Sequence, residues 1–410
     1  MKKFFALLLS LAMVLALVAC GQKDPTPDTP DTPDDPQTKV EYKVAMITDY
    51  GDITDQSFNQ TTYEACKAFA EDNSIEFSYF KPAGDNTADR VAMIEKAVDE
   101  GFNVIVMPGY AFGGAIVEAA PEFPDVKFIA LDVAAGDLLE TAVAKAGEAY
   151  DYTPENWDLN KYVDMSNVYC AVYQEELCGY MAGYAAVKLG YKNLGFLGGM
   201  SVPAVVRYGY GFVQGVDAAA ADLGLTDVKL NYIYGGQFFG DADITAVMDT
   251  WYQGGTEVVF ACGGGIYTSA VDAAKKANAK VIGVDVDQAG VIAKYAGVDG
   301  MTVTSAMKGL YPATYDTLTD VIVNGNWDKY VGKIATLGLV SGTDPEANYV
   351  QIPMGDGTQW SDSFTQDDYK AMVKDMFDGK ITVSNNTSSD VSAADFATVI
   401  TVDDQGSIKG

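Results

Sequence analysis

The sequence predicts an α/β fold of parallel sheets flanked by helices, arranged as two lobes with a ligand cleft between them. Three observations predict it. Short β-branched or aromatic runs alternate with helical periodicity through most of the chain, the pattern of strands covered by helices on both faces. That rhythm passes through two successive sets of strands. Asp49, Asp132 and Asp285 each follow directly on a strand-like run, and open parallel sheets bind ligands beyond the carboxyl ends of their strands.

The first set of runs is 44–48, 75–80, 104–107, 128–131 and 168–173, and the second is 194–197, 228–234, 258–261 and 281–284. Between strands, Val91, Ile94 and Val98 form one helical face that stops at Gly101, and Leu177, Met181, Tyr184 and Leu189 form another ahead of Gly190. After Asp285, residues 301–307 read as a further strand and 313–323 as a helix. Lobe I is accordingly expected to comprise 40–174 plus 287–332, and lobe II 175–286 plus about 333–410 with a C-terminal extension. Several crossings between two lobes make a hinge with the ligand between them. Two stretches fall outside the rhythm: the acidic, Tyr-rich excursion 136–166, and the segment from 341 onward, with a helix at 367–377 and a turn and strand at 379–383.

The first residues carry an address. Lys2 and Lys3 precede an apolar run from Phe4 to Leu17, shorter than the roughly 20 residues a membrane-spanning helix needs. With Leu17-Val18-Ala19-Cys20 it reads as a signal peptide (1–19) ending before a lipid-modified cysteine. Two acyl chains on Cys20 would anchor the chain stably at the outer face of the cell membrane. Residues 20–39 then form a Pro/Asp/Thr tether too polar to bury a core.

Composition removes several function classes. A formal charge of −30 repels nucleic acid, so no nucleic-acid partner is expected. There is no histidine, which excludes Ser-His-Asp and Cys-His catalysis and histidine metal sites. No cofactor, metal or enzymatic role is expected. Cys66, Cys170, Cys178 and Cys262 lie scattered in apolar contexts and read as buried free thiols, the alternative being one bridge whose pairing the sequence does not give.

The polar loop from Asp49 to Gln60 places Phe58, a large apolar side chain, beside Asn59 at the start of a helix. Phe58 is suited to stacking on a flat ligand and Asn59 to offering a donor and an acceptor; equally, Phe58 reads as a hydrophobic staple and Asp55 or Ser57 as an N-cap. The run 234–241 (YGGQFFGD) repeats the theme with Phe238, and Gly263-Gly264-Gly265 follows another strand. Lys308 ends a β-like run in a chain short of cations, and reads locally as either a surface lysine or a ligand contact.

Together these segments resemble the basic membrane protein family of bacterial lipoproteins, the nucleoside-binding components of ABC transporters. The resemblance runs from about Val44 to Val323 and rests most heavily on Asp-x-Gly-x-x-x-Asp-x-Ser-Phe-Asn-Gln at 49–60. Further matches are 124–128 with Asp132, 195–199, Gly211-Phe212-x-x-Gly215, 283–288 and 304–308. It implies a two-lobed periplasmic-binding-protein fold of the type I, ribose-binding kind. It also implies that Asp49, Asn59 and Asp132 read a base edge, that Phe58 and Phe238 sandwich the base, and that Asp285 and Lys308 hold the ribose while Gly264 allows close approach. The implied partners are a nucleoside, a purine nucleoside first, and an ABC permease and ATPase. Tyr208 stands where the family often has phenylalanine. A sugar- or base-binding protein, a nucleoside hydrolase and a surface adhesin are the alternatives.

Overall fold

The computed structural model describes residues 41–409; the expected signal peptide, Cys20 and the tether lie outside the described residues. The first part of the chain runs β1 (Lys43–Ile47), α1 (Phe58–Asn73), β2 (Glu76–Phe80), α2 (Thr87–Asp99), β3 (Val104–Pro108), α3 (Gly113–Ala119), β4 (Lys127–Leu131), α4 (Ala135–Lys145), α5 (Leu159–Tyr162) and β5 (Val168–Tyr173). It continues through α6 (Glu175–Lys188), β6 (Asn193–Gly198), α7 (Pro203–Asp222), β7 (Lys229–Tyr234), α8 (Ala242–Gln253), β8 (Val258–Cys262), α9 (Tyr267–Ala277), β9 (Lys280–Asp285), α10 (Ala289–Ala296) and β10 (Thr302–Lys308). The remainder is α11 (Leu310–Leu318), β11 (Lys333–Leu337), β12 (Val350–Gln351), α12 (Gln366–Phe377) and β13 (Thr401–Ser407).

Two sheets result, with strand orders β11-β5-β4-β3-β1-β2 and β12-β10-β9-β8-β6-β7-β13. Every strand pairing is parallel except β10 with β12. Successive side chains of a strand point to opposite faces, and the core divides accordingly. Ala45, Ile47, Ile105 and Met107 pack on one face of the first sheet, whereas Val44, Met46, Val104 and Val106 pack on the other. In the second sheet Val258 and Phe260 oppose Val259 and Ala261 in the same way. Double-sided burial explains why these strands read as continuous apolar runs rather than alternating ones.

Ten of the eleven expected strands form, but the chain crosses between sheets at other places than the sequence suggests. Residues 302–308, expected in lobe I, pair with β9 in the second sheet, Ser305 opposite Gly283. Only then does the chain return, through α11, which packs on α1. Conversely β11, expected in lobe II, pairs with β5 and completes the first sheet. Both errors have one cause: a local run identifies a strand but carries no record of which neighbour it hydrogen-bonds. The expected strand at 379–383 is irregular, and β13 is the strand of that region instead. The excursion at 136–166 opens with an ordinary crossover helix, α4, before its aromatic cluster of Tyr150, Tyr152, Trp157 and Tyr162.

Helices α6 and α7 approach closely enough for backbone contact. A Cβ at Gly211 would lie 2.1 Å from the Glu176 carbonyl oxygen, so no side chain fits without separating the helices. Gly211→Ala is therefore expected to lower stability by about 1–3 kcal/mol through overpacking, read as a lower denaturant midpoint. This contact fixes Glu175, Arg207 and Tyr208 relative to one another at the start of the two helices.

Candidate ligand-binding site

Residues at the carboxyl ends of strands from both sheets line one cavity of about 410 Å³, within the range typical of small-ligand sites. All eight residues singled out from the sequence line it: Asp49, Phe58, Asn59, Asp132, Phe238, Gly264, Asp285 and Lys308. The first sheet contributes Asp49 after β1 and Asp132 after β4; the second contributes Gly264 after β8, Asp285 at the end of β9 and Lys308 at the end of β10.

Asp132 and Asp285 share an unusual backbone, with φ of 60° and 65°. Aspartate tolerates this left-handed region better than most residues, and strained conformations gather at functional sites. In each case the αL residue terminates a parallel strand and places its carboxylate at the cavity wall.

Lys308 is the electrostatic centre. Its side chain is only 3% exposed, and its Nζ lies 2.5 Å from Asp132 Oδ2, 3.4 Å from Glu175 Oε1 and 3.7 Å from Asp285 Oδ1. The ammonium also stands 4.7 Å from the centroid of the Phe58 ring, an additional attraction from the aromatic face. Burial works against the charged ammonium, but the three carboxylates outweigh it and hold Lys308 above the usual lysine range. Glu175, wholly buried, binds Arg207 Nε through its second oxygen at 2.7 Å. The charges thus form a chain from the α7 guanidinium to the cavity wall, which offsets the cost of burying them.

Asp285 is held from two sides. Ser57 Oγ donates to its Oδ2 at 2.5 Å, and the Tyr208 hydroxyl donates to its Oδ1 at 3.2 Å. Ser57 comes from the first-sheet half and Tyr208 from the second. At the helix start it is Asp55, not Ser57, that caps: its carboxylate accepts from the backbone N–H groups of Ser57, Asn59 and Gln60 at 2.9, 2.9 and 3.1 Å. The Ser57 hydroxyl is thereby free for Asp285.

Asp49 Oδ1 accepts from the backbone of Tyr50 and Gly51 at 2.6 and 2.7 Å. Burial raises its carboxyl above the ordinary range, with these bonds pulling the other way. Two cavity-lining oxygens, Asn59 Oδ1 and Asp132 Oδ1, are buried and have no hydrogen-bond partner. Such orphans are costly in a native protein unless something else satisfies them. Phe238 stands on the β7–α8 loop, its carbonyl accepting from Gly265 N–H at 2.9 Å.

Sequence reasoning did not assign Ser57 or Tyr208 to Asp285, and it missed Glu175 and Arg207 entirely. A signal for Glu175 existed. Two adjacent glutamates, Glu175 and Glu176, open a helix that is otherwise largely apolar, a place where carboxylates sit only with partners. Cys66, Cys170, Cys178 and Cys262 are free and buried, the first of the two readings the sequence offers.

The surroundings of the site set a pH dependence. Burial raises Asp132 to about 6, against the pull of Lys308, and raises Asp137 and Glu176 each to about 7. A carboxyl whose folded value exceeds its unfolded value binds its proton more tightly when folded, so its contribution to stability grows as pH falls through that window. Melting temperature is expected to be higher at pH 5.5 than at pH 8, by at least a few degrees on the scale of ~2–4 °C per kcal/mol. Carboxylates held low, such as Asp217 and Asp320, lose their contribution only below about pH 4 and leave this window untouched. A melting temperature that falls steadily from pH 8 to 5.5 would refute the assignment.

Comparison with known proteins agrees with the geometry. The family of ABC transporter substrate-binding proteins described as PnrA-like matches residues 42–345. The chain is similar to the ABC transporter nucleoside-binding protein BmpA of Lactococcus lactis subsp. cremoris, with 25% identity over 389 residues, 92% of this chain and 96% of that protein. An uncharacterized lipoprotein of Pyrococcus abyssi is 26% identical and covers 74% of this chain, which in turn covers 69% of that protein. Among solved structures, an ABC transporter solute-binding protein from Aeropyrum pernix K1 matches with a TM-score of 0.60 at 20% identity, over 84% of this chain and 88% of that one. That likeness identifies the fold as that of the solute-binding proteins. The family match spans both sheets up to β10 and the return through β11, and the chain belongs to the PnrA-like family of ABC transporter substrate-binding proteins, which are ligand carriers and not enzymes.

Proposed function

We propose that the chain captures a nucleoside, a purine nucleoside first among them, and delivers it to an ABC permease and its ATPase while tethered outside the membrane by lipid on Cys20. The observation that carries this reading is a pair of unpartnered buried acceptors lining the same cavity as a carboxylate–ammonium cluster. Asn59 Oδ1 and Asp132 Oδ1 lack partners and are acceptors suited to the N–H groups of a base edge, while the other Asp132 oxygen pairs with Lys308. Asp285 beside Lys308 provides a carboxylate for vicinal hydroxyls and an ammonium to donate to them. Phe58 and Phe238 reach the cavity from different halves of the molecule, and aromatic stacking on a base contributes roughly 1–3 kcal/mol. The similarity to a nucleoside-binding protein supports the same ligand class. For the anchor, Cys20 within its lipobox-like context and the lipoprotein among the relatives are the support. Among the described residues no helix is long and apolar enough to cross a membrane.

A thermal-shift panel of nucleosides, free bases and sugars tests the ligand. A ligand at 100 times its Kd adds about 2.7 kcal/mol to the folded state. A shift with nucleosides alone is expected; a shift with sugars and none with nucleosides overturns the reading, and release of free base would point to a hydrolase.

A further inference from the structure

The segment 398–409 lies beyond the residues matched by the family, yet it is fastened onto the second sheet at three points. Asp217 of α7 accepts from the backbone N–H groups of Thr398, Val399 and Ile400 at 2.8, 2.8 and 3.1 Å, and from the Thr398 hydroxyl at 2.6 Å. Those bonds hold the Asp217 carboxyl below its ordinary range in spite of its burial. Next, β13 pairs in parallel with β7, from Thr401 opposite Lys229 to Ser407 opposite Tyr234. Trp251 Nε1 donates to Gln405 Oε1 at 3.1 Å.

The third point lies at the loop that carries Phe238 into the binding cavity. Ile408 N–H donates to the carbonyl of Tyr234, the last residue of β7, at 2.8 Å. Lys409 Nζ then donates to Gln237 Oε1 at 2.7 Å and pairs with Asp241. Gln237 and Asp241 flank Phe238 in the loop that lines the cavity. Gly236, at φ 79°, is the turn that admits the strap: a Cβ there would stand 2.7 Å from Lys409 Cβ. On its other side the Phe238 ring abuts Gly199, where a Cβ would lie 2.4 Å from Phe238 Cδ1. The 235–241 loop is thus held between Gly199, Gly263 and Gly265 within the lobe and Lys409 outside it.

We infer that the 398–409 segment is a strap that positions the Phe238 loop for ligand capture, with Lys409 as the positioning residue. Lys409 does not line the cavity; it acts through Gln237 and Asp241. A loop joining a strand to a helix is the most mobile part of such a unit, and a stacking side chain must be held near its productive place to contribute its full effect. The strap supplies that restraint from outside the cleft, leaving the ligand-facing side of the loop open. The inference rests on the nucleoside reading for its ligand, and its structural arm does not.

The test is Lys409→Met in the full chain, with Lys380→Met, a lysine paired only with Asp375 and Asp378, as the control. In the ligand-free protein, amide hydrogen exchange over 236–240 is expected to rise in Lys409→Met while exchange in β6 and β8 stays at the wild-type rate. Calorimetric titration with a nucleoside that shifts the wild type is expected to give a Kd weakened about fivefold to tenfold, a fraction of the stacking contribution. Lys380→Met should match the wild type in both. Unchanged exchange, or faster exchange with an unchanged Kd, overturns the strap. Should the wild type bind no nucleoside, the ligand reading falls, and the exchange measurement alone still decides whether Lys409 restrains the loop.

Discussion

Lys308→Met is expected to lower the stability of the ligand-free chain by about 3–5 kcal/mol, because it leaves buried carboxylates without their shared cation. Asp132, Glu175 and Asp285 all lie within 4 Å of its Nζ, and of these only Glu175 has another cation, Arg207. Denaturant unfolding followed by far-UV circular dichroism measures the loss. The deficit is also expected to depend on pH. Asp132, already raised to about 6 by burial with the ammonium beside it, takes up its proton at higher pH once the ammonium is gone. A neutral carboxyl needs no cation, so the difference between variant and wild type narrows as pH is lowered from 8 toward 5. A loss within ~0.5 kcal/mol, the usual range for a surface substitution, would return Lys308 to the role of an incidental lysine.

The second large effect concerns binding. Asp285→Asn keeps the shape of the side chain and a residue type that accepts the αL backbone seen at φ 65°. The hydroxyls of Ser57 and Tyr208, which donate to the carboxylate, can each rotate to accept from an amide. The fold should therefore survive, with Lys308 still paired to Asp132 and Glu175. What is lost, on the proposed reading, is the charge that accepts from the sugar hydroxyls. Hydrogen bonds to a charged group contribute about 1.5–3 kcal/mol each, so losing their charged character at two vicinal hydroxyls should weaken nucleoside binding by about a hundredfold or more. Isothermal titration of wild type and variant with the same nucleoside measures it. A Kd within threefold of wild type would remove Asp285 from the ligand contacts and leave it as a link between Ser57 and Tyr208.

Much of the architecture was legible because buried parallel strands declare themselves as apolar runs, and strand-end aspartates mark where such sheets present side chains. The eight candidate residues fall round one cavity for that reason: each stood at the end of a strand, in the loop that follows one, or at the start of a helix. What could not be read were relations across the chain. β10 belongs to the second sheet by hydrogen bonds to β9, and β11 to the first by bonds to β5, neither of which leaves a local trace. Ser57 looked like a cap, yet Asp55 does the capping and Ser57 reaches Asp285, 228 positions away. Glu175 and Arg207 meet because glycines let α6 and α7 touch, a packing event with no counterpart in the periodicity of either helix.

The late strands have a kinetic consequence. β5 has a free edge until β11 arrives more than 150 residues later, and β7 has one until β13 arrives. During synthesis and refolding both edges present unpaired backbone groups, a template for association with other chains. Their pairing is also long-range in sequence, which slows folding. A chain cut short before β13 should therefore show its defect first as concentration-dependent aggregation on refolding, with Asp403 and Asp404 of the missing strand no longer there to keep the outermost edge charged.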